Sequence, residues 1–363
     1  NAPQASGHST ERIPIMDEYS LLDDAGLALA TQDLATLRVR CLDAERRFPL
    51  VVEPAVAGAS IDSASADIAR LTERILFRHA GFLFRGFSVA GLDAFDGFVR
   101  SFGHPPISYD FGSSQRSKLT KGVYTSTEFP KNRSIPLHNE QAYTTAWPMK
   151  IWLHCVIASP VGGETPIADS RRIYRRIDAD IRRRFETKQL LYVRNYGNGM
   201  DLSWQQTFGT ESRGDVEAFC RENGIAVQWI GDKQLRTEQL VQGTAWHPVT
   251  RAPLWFNQAH LFHASSQGKE VMAMLLDILG DARNLPRHVF YGDGTPLEDS
   301  VLDAIRGVLA EEAVKFPWQP GDIVMLDNML AAHAREPFDG ERKIVVSLAE
   351  PYSLAELKQQ RAA

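Results

Sequence analysis

The sequence predicts a β-rich α+β protein, a β-sheet core under helical cover. Short apolar runs bounded by Pro, Gly and Ser read as strands at 81–87, 151–157, 253–257, 322–326 and 343–348. Segments of helical periodicity surround them without the regular strand–helix alternation of a doubly wound sheet. A composition 44% hydrophobic and 23% charged over 363 residues can bury a sizeable core and excludes wholesale disorder.

In chain order, residues 1–18 are polar and aperiodic and are expected to form a flexible leader, with 19–363 as a single domain. The start at Asn1 rather than Met is read as trimming or processing. Ile68, Leu71, Ile75 and Leu76 mark a helix over 61–79, with Asp62 or Ser63 as its N-cap. A strand (81–87) and a short helix (92–102) follow. The run 151–157 lies between Trp147-Pro148 and Ser159-Pro160 and ends at the turn Val161-Gly162-Gly163. Residues 170–187 read as one amphipathic helix, because Ile173, Ile177, Ile181 and Phe185 form an apolar stripe opposite a solvated basic face. Helices are also expected at 271–279 and 297–315. No internal repeat or low-complexity tract occurs.

The 40 Lys and Arg against 45 Asp and Glu give a net charge of −5, which argues against a nucleic-acid partner. Cys41, Cys155 and Cys220 form no CxxC pair and read as small buried residues in a reducing compartment. No apolar run is long enough to cross a membrane and no signal pattern is present, so the expected location is cytoplasmic.

The chemistry-bearing segment is Ile135-Pro-Leu-His138-Asn-Glu140. Residues two apart on an extended strand or strand end point to one side, so His138 and Glu140 can aim at a common point. Alone, a His-x-Glu is a frequent chance occurrence. A second element strengthens it: Pro320-Gly321 turns the chain, a strand follows, and His333 lies beyond its Asp327-Asn328 end. Two imidazoles and one carboxylate on one face leave positions open on a ferrous ion. Arg342, nine residues beyond His333, carries a fork suited to the distal carboxylate of a dicarboxylic cosubstrate. By itself Arg342 reads first as an ordinary surface strand charge.

Further segments extend the pattern: Thr125-Ser-Thr-Glu-Phe-Pro, Ile135 through Tyr143, Gly162-Gly-Glu-Thr-Pro-Ile-Ala-Asp169 and Tyr192-Val-Arg-Asn-Tyr196. Leu202-Ser-Trp-Gln, Leu235-Arg-Thr, Trp255 through His263 and Pro320 through Arg342 complete it. On these residues the chain resembles the taurine dioxygenase-like family of iron(II)- and 2-oxoglutarate-dependent oxygenases. Within it, the chain is most similar to the syringomycin-type aspartyl hydroxylase branch of amino-acid and peptide natural-product pathways.

The resemblance implies a double-stranded β-helix (jelly-roll) core with helical cover and insertions. It assigns His138, Glu140 and His333 to Fe(II), and Arg342 to the C5 carboxylate of 2-oxoglutarate, helped by the Thr165 hydroxyl. Arg335 competes for that role, because the spacing to Arg342 is shorter than in taurine dioxygenase itself. Related halogenases carry Gly or Ala at the acid position, and Glu140 disfavours that reaction. The implied activity consumes O2 and 2-oxoglutarate to oxidise an unactivated C–H bond, by hydroxylation first and by desaturation or ring closure as alternatives. The expected substrate is a small amino-acid-like molecule, free or presented on a carrier protein.

For that substrate, Arg194 is the first candidate carboxylate partner, with a structural salt bridge as the other reading. Asn257, Tyr143 and Arg335 are further candidates, and Asn195, Tyr196, His260, Tyr124, Arg133 and Gln141 are polar residues that could line the pocket. His154, His263 and the residues Trp204, Trp229, Trp246 and Trp255 are expected to pack, and His247-Pro248 to form a turn. Two readings from other classes stay open: a non-catalytic β-barrel binder, and a zinc hydrolase using the same His-Glu-His set.

Overall fold

The computed structural model describes residues 19–104, 107, 118–120, 123–125, 129–197 and 199–362. The expected leader at 1–18 and residues 126–128 of the Thr125–Pro130 motif lie outside the described residues.

The largest sheet centres on Ala146–Ile157, whose interior is buried on both faces. Ile323–Asp327 and Lys343–Ser353 pair with it antiparallel on either side. Beyond Ile323–Asp327 come Gly81–Phe84, Leu50–Pro54 and Leu37–Cys41; beyond Lys343–Ser353 come Val123–Thr125 and Lys118–Thr120. Side-chain alternation splits the core across this sheet. Trp152, Phe82, Phe84 and Met325 pack with Ile68, Leu71, Phe95 and Phe98 of the helices Ser65–His79 and Gly91–Arg100. Ile151, Leu153, Val324, Ile344 and Val346 point to the other side.

That other side faces a three-stranded antiparallel sheet, Ile135–His138, Ala331–Arg335 and Ile167–Asp169, with Ala331–Arg335 in the middle. A four-stranded antiparallel sheet (Ile225–Ile230, Gln234–Val241, Leu190–Tyr196, Arg287–Tyr291) carries the helices Trp204–Phe208 and Arg213–Glu222 nearby in sequence. The expected β-sheet core with helical cover is therefore present, as separate packed sheets rather than one closed barrel among the described residues.

Several local expectations are corrected. The single helix over 170–187 is two, Ser170–Arg176 and Ala179–Lys188. Ile177 is extended, and the Asp178 carboxylate accepts from the N–H groups of Asp180 and Ile181, so an N-cap restarts the helix. The apolar stripe survives the break, with Ile173, Ile177, Ile181 and Phe185 all buried. Its basic face is not simply solvated: Arg172 and Arg176 both bind the buried Glu312. The helix expected from 61 begins as a 3-10 turn, Ile61–Ala64, capped by Ser60 rather than Asp62 or Ser63. The strand at 253–257 shortens to Pro253–Leu254, and the one at 81–87 pairs only to Phe84. Trp204 and Trp255 are buried, whereas Trp229, Trp246 and Cys41 are only half-buried.

Candidate functional site

Cross-strand register builds the centre. His138, the last residue of its strand, lies directly opposite His333, and their ring centroids are 4.5 Å apart. Glu140 follows two residues later, with a carboxylate oxygen 3.9 Å from His333 Nε2. One potential ligand atom from each of the three lies within 4.8 Å of the others. Among the described residues no other group of three His, Cys, Asp or Glu converges in this way. His138 Nδ1 is 2.8 Å from the Pro136 carbonyl. A carbonyl only accepts, so Nδ1 carries the proton and Nε2 keeps its lone pair for a metal.

A side-chain clamp that sequence reasoning missed holds Glu140 in place. The Glu140 N–H donates to Asn328 Oδ1 (2.7 Å), and Asn328 Nδ2 donates to the carbonyls of Glu140 (3.0 Å) and Pro148 (2.8 Å). Asn139 Nδ2 donates to the Asn328 carbonyl (2.7 Å) and Ser170 Oγ (3.0 Å), while the Gln258 amide donates to the Asn139 carbonyl (2.7 Å). Asp327 anchors Asn328 from below: its buried carboxylate accepts from Lys150 Nζ (3.1 Å) and the N–H groups of Met329 and Leu330 (3.1 Å each), with His247 Nε2 at 3.3 Å. Burial opposes its ionisation, but Lys150 and His247 outweigh burial and hold the carboxyl well below its usual range. An Asp-Asn pair closing an otherwise apolar strand was the available signal. His247 is accordingly more than a turn residue.

A cleft enclosing about 450 Å³, partly open to solvent, lies between the two facing sheets. Ile151, Leu153, Ile344 and Val346 of the large sheet form its apolar wall. His138, His333 and Arg335 of the three-stranded sheet stand on the opposite side, and Thr165 and Arg342 also line the cleft. Arg342 immediately precedes the strand Lys343–Ser353. Its Nε donates to the Gly163 carbonyl (2.9 Å) and its Nη2 lies 3.4 Å from Thr165 Oγ1, which also accepts from Trp318 Nε1 (3.0 Å). Gly163 has φ +77°, and a Cβ there would sit 2.9 Å from Arg342 Cδ, so only glycine permits this approach. Burial and the neighbouring Arg335 lower Arg342 to about 10, which leaves it cationic at neutral pH.

Arg335 lines the same cleft, but its guanidinium donates to the carbonyls of Phe129 (3.0 Å), Pro130 (2.7 Å) and Arg133 (2.7 Å). It ties that segment to the strand bearing His333. Arg194, Tyr143 and Tyr196 are brought together at a second cavity in the four-stranded sheet. Asn257 lines neither cavity; its amide donates to the Gly243 carbonyl (2.6 Å) and accepts from the Ala259 N–H (3.0 Å). Asn195 is likewise bonded to the carbonyls of Arg283 and Leu285. His260 Nε2 lies 2.8 Å from the Leu137 carbonyl and supports the metal-bearing strand from behind. His263 packs on His288, and His154 stacks on Phe95. Tyr124 is buried, Arg133 exposed, and Gln141 adopts φ +58° in the turn after Glu140.

The donor set fits a divalent transition metal held on one face by two imidazoles and a carboxylate. Residues 46–348 match the family described as taurine catabolism dioxygenase TauD, TfdA family. The dapdiamide synthesis protein DdaC of Enterobacter agglomerans is 41% identical over 311 residues, 83% of this chain and 94% of that one. A clavaminate synthase-like protein of Arabidopsis thaliana is 32% identical over 323 residues, 84% of this chain and 94% of its own. Among solved structures, PvcB, described as an Fe, alpha-ketoglutarate dependent oxygenase from an isonitrile synthetic pathway, superposes with a TM-score of 0.51. It shares 17% identity and covers 86% of this chain and 91% of its own, a likeness of fold.

Proposed function

Because the chain belongs to the TauD/TfdA dioxygenase family, and is an enzyme that uses Fe(II), 2-oxoglutarate and O2, we propose that it hydroxylates an unactivated C–H bond of an amino acid or amino-acid-derived substrate in natural-product biosynthesis. The observation that carries the reading is that His138, Glu140 and His333 converge within 4.8 Å beside a cleft that also holds Arg342 and Thr165.

In this reading His138 Nε2, His333 and the Glu140 carboxylate hold the iron, and the bound iron and 2-oxoglutarate supply the oxidising power. Arg342 and Thr165 receive the distal carboxylate of 2-oxoglutarate through charge-assisted bonds. Ile151, Leu153, Ile344 and Val346 pack against its methylene chain and exclude water. The Pro136 carbonyl keeps the His138 proton on Nδ1, and Asn328 fixes the backbone from which Glu140 projects. On the substrate side, Arg194 and Tyr143 are the proposed contacts. The natural-product assignment is supported by the name of the relative active in dapdiamide synthesis. The two sheets that face each other across the cleft are read as the family's double-stranded β-helix, and residues 19–363 as one domain. No helix among the described residues is long and apolar enough to cross a membrane, and we place the enzyme in the cytoplasm.

The test is anaerobic reconstitution with Fe(II), then exposure to O2 with 2-oxoglutarate and a panel of L-amino acids, their derivatives and carrier-bound forms. Succinate formation with a product heavier by one oxygen is expected. A product lighter by two hydrogens would shift the outcome to desaturation or ring closure. Zinc-supported hydrolysis indifferent to 2-oxoglutarate would overturn the reading.

A further inference from the structure

The second cavity spans about 350 Å³, counting space open to solvent, and is bounded by Tyr143, Tyr192, Tyr196, Thr237, Gln239 and Phe262, with Arg194 on the strand Leu190–Tyr196. Arg194 is only 6% exposed, and its Nε and Nη2 have no hydrogen-bond partner. The carboxylate beside it, Asp201, lies 4.0 Å from Nη2, too far to accept a hydrogen bond. Asp201 is already held by Arg287, whose Nε and Nη2 reach its two oxygens at 2.5 and 2.8 Å. Two guanidiniums thus share one carboxylate, and the group carries one positive charge in excess. A buried cation with unmet donors is costly unless something completes it.

Arg287 shows what would complete it. It grips Asp201 with its Nε–Nη2 edge, the edge whose two nitrogens in Arg194 are buried without a hydrogen-bond partner. That planar edge matches the two oxygens of a carboxylate. The cavity also adjoins the catalytic segment. Tyr143 lies three residues past Glu140, across consecutive turns closed by Ala142 N–H to the Asn139 carbonyl (3.2 Å) and Thr144 N–H to the Gln141 carbonyl (3.0 Å). Each such turn spans less than about 7 Å between its end Cα atoms.

From these contacts we infer that the second cavity is a carboxylate subsite for the substrate, in which the Nε–Nη2 edge of Arg194 grips a free carboxylate while Tyr143, Tyr192, Tyr196 and Phe262 pack the attached carbon skeleton. The inference rests on the oxygenase reading and narrows its substrate to molecules that carry a free acid at this position. A substrate joined to a carrier through this same carboxyl group has no such acid and is disfavoured.

The test uses the full chain without metal, titrated calorimetrically with a panel of L-amino acids, their N-acetyl derivatives and the matching α-amides. At least one acid should bind, its amide should bind at least tenfold more weakly, and Arg194→Gln should erase the difference. Arg194→Lys, which keeps the charge but loses the fork, should retain part of it. The acid–amide comparison in the unaltered protein needs no variant, so a misfolded Arg194→Gln does not remove the test. Equal binding of acids and amides, no binding by any acid, or discrimination that survives Arg194→Gln would overturn the inference. Because no iron is present, acid-selective binding with no iron–2-oxoglutarate complex would sink the oxygenase reading alone.

Discussion

The cleft holds the half-buried Arg342 and the second cavity the buried Arg194, and the two are treated in opposite ways. In the cleft, Arg342 is supported by the Gly163 carbonyl and the Thr165 hydroxyl, and a glycine is spent to let it approach. In the cavity, Arg194 has Nε and Nη2 unmet, while its neighbour Arg287 takes the carboxylate of Asp201. Cross-strand register, main-chain groups and the Asn328 and Thr165 side chains organise the first region; the second is assembled from side chains of one sheet, one turn and Phe262 of the helix Ala259–Phe262. A site for an invariant partner, a metal and a dicarboxylate, can be clamped in advance. A substrate subsite is completed by its ligand.

The largest effect should follow from breaking the metal face. His333→Ala or His138→Ala should remove detectable succinate formation, with the fold checked by circular dichroism; ordinary turnover in either folded variant would sink the ligand assignment. Next, Arg342→Ala should raise the 2-oxoglutarate requirement by roughly 30-fold or more, since truncating one partner of a buried charge pair costs about 2–5 kcal/mol. Iron affinity should stay unchanged, and if Arg335→Ala produces this phenotype instead, the two arginines exchange roles. Asn328→Ala should weaken Fe(II) binding about 10- to 100-fold through misplacement of Glu140, the scale expected when support behind a ligand is lost. A metal titration reads this directly, and undiminished affinity would mean that the turn holds Glu140 unaided.

Acid should separate the regions most gently. Burial pushes His260 and His263 down to about 4 and His288 to about 3. Their folded values lie below the unfolded value near 6.5, so the unfolded chain takes up protons first and stability falls as pH drops from about 6.5 towards 4. Asp327 behaves differently: its folded value lies well below that of an unfolded carboxyl near 4, so its contribution is intact above that pH and is lost only in stronger acid. Hydrogen exchange at pH 5 should therefore loosen the strand Arg287–Tyr291 before Ile323–Asp327, and the reverse order would contradict the assignment.

What the sequence made legible follows the same division. His138 ends its strand and Glu140 follows two residues later in the turn, so their chemistry shows in a short window; the fold then adds His333 by register. The amphipathic stripe of 170–187 was visible, but Asp178 as an interrupting cap was not, because an Asp within a charged helix face looks like any other. The Asn328 clamp reaches Glu140 from 188 residues away, and no local pattern announces it. Arg194 stood out only as a candidate partner for a substrate carboxylate, with a structural salt bridge as the other reading. That its donors are unmet depends on where Arg287 and Asp201 meet in space, across an 86-residue separation.

The central claim is that one cleft binds iron through His138, Glu140 and His333 and 2-oxoglutarate through Arg342. Its most direct test is anaerobic addition of Fe(II) and 2-oxoglutarate to the metal-free protein, watched by visible absorption. The account predicts a charge-transfer band from the chelated keto acid that disappears in Arg342→Ala at the same 2-oxoglutarate concentration. Folded, iron-loaded protein with no such band would contradict it.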